Sequence, residues 1–112
     1  MEIKYSLKDF DENKIIDKYG MQENGNAQLF LANTCFRRMQ KYVPFDTGAL
    51  STTATIKPGK VIYEQPYAHK QFVSNKGKGI RGKRWDLAVK NNEKHLIAKE
   101  VENYVKQLKG NK

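Results

Sequence analysis

The stretch Val43-Pro44-Phe45-Asp46-Thr47-Gly48-Ala49-Leu50 marks where the apolar pattern of the chain changes period. Upstream, Leu29, Ala32, Phe36, Met39 and Val43 fall on one helical stripe, widened by Leu31 and Cys35, which predicts a helix from Ala27 onward. Downstream, Leu50, Thr52, Ala54 and Ile56 alternate with Ser51, Thr53, Thr55 and Lys57, as a strand does. Pro44 has no N–H and biases the residues before it away from the α region, so the helix should stop there. Asp46 and Thr47 carry side-chain oxygens that cap turns, and Gly48 can take a positive φ. Pro44, Asp46, Thr47 and Gly48 therefore read as a structural corner between helix and strand, with Val43, Phe45 and Leu50 pinning it to a core.

On the strand side, Pro58-Gly59 supplies a turn and Val61–Tyr63 resumes the extended pattern, which predicts a β-hairpin. Pro-Gly favours a type II turn over the primed types of the tightest hairpins, so a slightly longer loop is expected. Pro66 should end the second strand, and Tyr67–Val73 has room for one helical turn burying Tyr67, Ala68 and Phe72. On the helix side, Arg37, Arg38 and Lys41 sit where cations suit the helix dipole. Nearer the N-terminus, Ile3, Tyr5 and Leu7 alternate as a half-buried strand. Ile15, Ile16 and Tyr19 are spaced for a short helix that Gly20 ends, and Gln22–Asn26 is a polar break.

Toward the C-terminus, Trp85, Leu87 and Val89 alternate like a strand, while Trp85 with Val89 fits a helix equally well. Asn92 is a good N-cap for a last helix whose stripe is Ile97, Val101, Tyr104, Val105 and Leu108. Glu102 and Lys106 form an i,i+4 pair on its outer face. The fold class expected is α+β, one small domain over residues 1–112. It has an antiparallel sheet of three to four strands, packed against the Ala27–Met39 and Asn92–Leu108 helices. Residues 1–26 form its N-terminal strand and short helix, and residues 74–84 a mobile basic loop.

Hydrophobic residues make up 38% of the 112, and mean hydropathy is −0.80, a thin allowance for a self-sufficient core. Subunit contacts would supply what the core lacks. Net charge is +9, which draws polyanions or an acidic protein surface and says nothing about fold. Cys35 is the only cysteine, so no intrachain disulfide can form, and its place in the helical stripe makes it a core residue. Met1–Leu7 is too polar for a signal peptide, and no apolar run approaches the roughly 18 residues of a membrane span. A reducing cytoplasm is the expected starting compartment.

The basic loop carries Lys76, Lys78, Arg81, Lys83 and Arg84 among Gly77, Gly79 and Gly82. Gly77 to Gly82 matches G-x-G-x-x-G, and Gly77 to Lys83 matches the start of a P-loop. Both motifs work only where a strand feeds the glycines into a helix N-terminus. The flanks here are polar, and Arg84 stands where a P-loop has its Ser or Thr, so no cofactor is expected. His69, His95 and Cys35 lack metal-ligand spacing, His69 reading as a packing residue and His95 as solvent-facing. No nucleophile and base pair up, so no catalytic residue is assigned and an enzyme is not expected. The five cations ahead of Trp85 suit either of two partners. They could follow phosphates, with Trp85 stacking on a base, or order against an acidic neighbouring subunit.

Three stretches give the chain a family likeness. Val43 to Leu50 is similar to a V-P-x-x-T-G-x-L corner. Ile62-Tyr63, then Pro66-Tyr67-Ala68-His69 and Gln71-Phe72, is similar to I-Y-x-x-P-Y-A-x-x-Q-[FY]. Gly82-Lys83-Arg84-Trp85-Asp86-Leu87 is similar to G-x-R-W-D-L before a last helix. In this order, from about Val43 to Leu108, they resemble the minor capsid proteins of tailed bacteriophages, particularly those of Gram-positive hosts, grouped with small head–tail connection or neck proteins. The resemblance implies a structural virion protein made in the host cytoplasm and carrying no catalytic residues. Its implied partners are neighbouring copies in a ring, other neck, portal or tail proteins, and packaged DNA by non-specific contact. A basic nucleic-acid-binding module of a phage or mobile element is the alternative.

Overall fold

The computed structural model describes residues 1–43, 54–64, 68, 72–73 and 82–110. The corner residues Pro44, Asp46, Thr47 and Gly48 lie outside the described residues, as do Tyr67, His69, Lys76, Lys78 and Arg81.

Strands β1 (Glu2–Lys4), β2 (Ala54–Lys57) and β3 (Lys60–Tyr63) form an antiparallel sheet in the order β1-β3-β2. Alternation sorts its two faces. Ile3, Val61 and Ile56 lie side by side on the inner face, with Tyr63 and Ala54 beyond them, and all pack into or against the core. Lys57 and Lys60 are register partners, so Pro58-Gly59 is a two-residue connection, tighter than the expected loop. Gly59 has φ +69, the left-handed value that a type II turn needs. Its N–H donates to the Gln28 carbonyl at 3.1 Å, and its carbonyl accepts from the Tyr5 N–H at 2.8 Å. Tertiary bonds at the tip stabilise a turn type that strand twist alone disfavours. The N-terminal strand is shorter than the Ile3–Leu7 alternation suggests. Ser6 caps the Lys8 N–H at 3.3 Å, and Leu7–Phe10 turns into a 3-10 helix that buries Leu7 and Phe10.

Helix α1 (Ile15–Lys18) buries Ile16, and Gly20, at φ +62, ends it as read from the sequence. Asp11 accepts from the N–H groups of Ile16 and Asp17 at 2.9 and 3.0 Å, satisfying the helix start from outside. Helix α2 (Gly25–Met39) is capped by Asn24, whose side chain accepts from the Ala27 N–H at 2.9 Å. It buries Ala27, Leu31, Cys35 and Met39, a row with one residue every four, together with Ala32 and Thr34, whereas Leu29 and Phe36 are only half-buried. Its end precedes Pro44, with the N–H groups of Tyr42 and Val43 both turned back on the Met39 carbonyl.

Helix α3 (Trp85–Gly110) resolves the Trp85–Val89 ambiguity in favour of helix and corrects the Asn92 cap, since Asn92 lies inside it. Arg84, at φ +50, begins the helix, its carbonyl accepting from the N–H groups of Leu87 and Ala88 at 3.0 and 3.1 Å. The buried row is Trp85, Val89, Glu93, Ile97, Val101 and Val105, again one residue every four, and Leu108 is exposed beyond it. Such i,i+4 rows are the ridges that interdigitate when helices pack. Helix α2 is the middle layer: Phe36 meets Tyr63 of the sheet at 6.4 Å, and Phe30 stacks on Tyr104 of α3 at 4.3 Å. The described elements share one hydrophobic core, an α+β arrangement of a three-stranded antiparallel sheet with helices.

Candidate functional site

Glu93 is the exception in the α3 row, a carboxylate buried among Val89, Ile97 and the end of α2. Leaving it unpaired there would be costly, and the end of α2 with the turn that follows it supplies three partners. Arg38 Nη1 donates to Glu93 Oε1 at 2.8 Å, while the Tyr42 hydroxyl and Lys41 Nζ reach Oε2 at 2.7 and 2.8 Å. Arg38 also donates through Nε to Glu100 Oε2 at 2.9 Å, with a second bond from Nη2 to the same oxygen. Arg37 Nη2 holds Glu100 Oε1 at 2.6 Å. Burial alone would raise the Glu93 pKa. The bonds from Lys41, Tyr42 and Arg38 outweigh that and hold it at about 2. This is a fixed ionic clasp between α2 and α3.

The clasp sits beside the two stretches singled out in the sequence. The Tyr42 carbonyl, just before the corner in sequence, accepts from the N–H of Gly82, near the end of the basic segment, at 3.1 Å. The Arg84 N–H donates to the Phe72 carbonyl at 2.7 Å, and the Arg84 guanidinium lies over the Phe72 ring, 4.8 Å from its centroid. Arg84 also grips Asp86 through two bonds of 3.1 Å. Trp85 meets Phe72 edge-on at 5.0 Å and Tyr63 at 5.7 Å. Phe72 and Arg84 thus form a closed stem. Of the candidate contact residues, Lys83 is exposed at this stem, and Arg84 is 45% exposed while engaged with Phe72 and Asp86.

Ala68 is buried, as the sequence suggested, and Cys35 is a core residue whose thiol is pushed up to about 12 by burial. His95 faces solvent and meets Glu12 at 2.8 Å, and Glu102 pairs with Lys106 at 3.1 Å. The Tyr63 hydroxyl and Trp85 Nε1 are buried without a hydrogen-bond partner among the described residues. Burial raises the Tyr63 pKa. The described clefts hold about 110, 200 and 260 Å³. No group of three metal-ligating side chains occurs among the described residues, and no described helix is long and apolar enough to cross a membrane.

The clasp was missed in the sequence because Arg38 and Lys41 read as helix-end cations. Stepping back by fours from Ile97 would have found it, since that lands on Glu93, Val89 and Trp85 in turn. The buried charge ties one helix to another. The chain belongs to the minor capsid protein family, which matches it over residues 8–110. It is therefore a structural protein of the phage particle, in contact with other virion proteins. No curated protein and no solved structure matches the chain.

Proposed function

We propose that the chain is a non-enzymatic ring subunit that joins head to tail, a neck or tail-completion component of a tailed phage or prophage. It acts as one domain over residues 1–112, assembles in the host cytoplasm, and contacts neighbouring copies and the portal or tail proteins. The observation that supports this is the closed stem of Phe72 and Arg84 beside the α2–α3 clasp, where Lys83 is exposed. Lys76, Lys78, Arg81, Lys83 and Arg84 form the contact, an assembly surface first and a DNA surface second. A glycine-rich segment loses entropy on docking, and a fixed anionic partner offsets that loss.

The test replaces these five residues by alanine and counts joined particles by electron microscopy. Full heads without tails are expected to accumulate; normal yields of joined, infectious particles would sink the reading. For a nucleic-acid module the variant would join particles normally, and the unaltered purified chain would bind duplex tightly. Four phosphates neutralised through the segment would give a log–log salt slope near −3.6, by the rule of about −0.9 per phosphate.

A further inference from the structure

The outer face of the sheet carries a feature that the head–tail reading does not use. Lys4, Lys60 and Lys57 are register partners across all three strands, so their side chains leave the same face side by side. Lys4 and Lys57 are exposed, and the Lys60 side chain is 42% exposed. Like charges directly opposite each other destabilise a sheet. The next row on this face is Glu2, Ile62 and Thr55, and only Glu2 approaches the lysines, 3.9 Å from Lys60. The Glu64 carboxylate, farther along, accepts from the Thr55 hydroxyl.

A second copy of the chain is poorly equipped to supply the missing anions. Its described carboxylates are largely engaged: Glu93 and Glu100 in the clasp, Asp86 with Arg84, Asp9 with Lys90 and Glu12 with His95. Asp11 caps α1, and Glu102 holds Asn13 and Lys106. The partner must bring its own charge. Lysine is a compact point charge without the fork of arginine, which suits phosphate contact without sequence reading. Adjacent strands lie about 4.8 Å apart, so the row spans about 10 Å, the axial length of about three nucleotide steps of one strand at about 3.4 Å each.

We infer that the Lys4–Lys60–Lys57 row is a contact for the phosphodiester backbone of duplex nucleic acid, separate from the 74–84 segment. The test compares wild type with Lys4→Ala/Lys57→Ala/Lys60→Ala, titrating a short DNA duplex across salt, with thermal melting to show that both are folded. Three lost phosphate contacts should make the salt slope shallower by about 2.7, so that between about 50 and about 200 mM salt the wild type loses about 40-fold more affinity than the variant. The triple Lys→Arg variant should keep the wild-type slope, and Glu2→Gln should tighten duplex binding. An unchanged slope in the alanine variant would overturn the inference. So would loss of polyglutamate binding in that variant with duplex binding intact, which would make the row a protein contact. Duplex binding is read on the purified chain, so its failure and a failure to join particles remain separate results.

Discussion

Glu93 shows what a single residue does in this fold. It occupies a core position, and its charge is retained because Arg38, Lys41 and Tyr42 bond it from three sides. Glu93→Gln keeps the shape and removes the charge. It should destabilise the chain by about 3 kcal/mol, near the lower end for breaking a buried ion pair from one side. The pH dependence carries the same sign. The folded carboxyl titrates at about 2 against an ordinary 4.5, so its stabilisation is complete above the ordinary value and lost as pH falls through the folded one. Urea melts should show the gap between wild type and Glu93→Gln closing from pH 4.5 down to about 2. A gap independent of pH would mean that the variant acts through packing alone.

At the scale of elements, the hairpin and the long helix depend on contacts outside themselves. Gly59 sits at φ +69 with the Tyr5 carbonyl 3.2 Å from where a Cβ would be. Gly59→Ala should therefore lower stability by about 1–2 kcal/mol, read as a shifted urea midpoint with unchanged slope. A midpoint at or above wild type would show that the turn relaxes without its tethers. The strands of the hairpin were legible because Ile56 and Val61 alternate with polar neighbours over a two-residue breaker. Its tightness was not, because the bonds to Tyr5 and Gln28 come from distant sequence. The body of α3 was legible in Ile97, Val101 and Val105. Its start was not, because Asn92 is a good local cap that packing overrides once Trp85 and Val89 continue the buried row. For the candidate site, the exposed Lys83 was readable as a loop cation, whereas the commitment of Arg84 to Phe72 and Asp86 needed the fold.

At the scale of the whole molecule, a net charge of +9 coexists with carboxylates largely engaged within the fold. Among the described residues, the lysine row and the stem cation Lys83 have no carboxylate partner apart from Glu2 beside Lys60. Such a surface suits a subunit whose counter-charges are provided by an assembly. A hydrophobic share of 38% fits the proposal, under which neighbouring subunits would cover what the core does not. The family match places the protein in the particle, and the proposal places it between head and tail. Electron microscopy of purified particles carrying an epitope-tagged chain tests that claim most directly. The account expects gold-labelled antibody at the head–tail junction, one cluster per particle; label spread over the head shell or along the tail tube would contradict it.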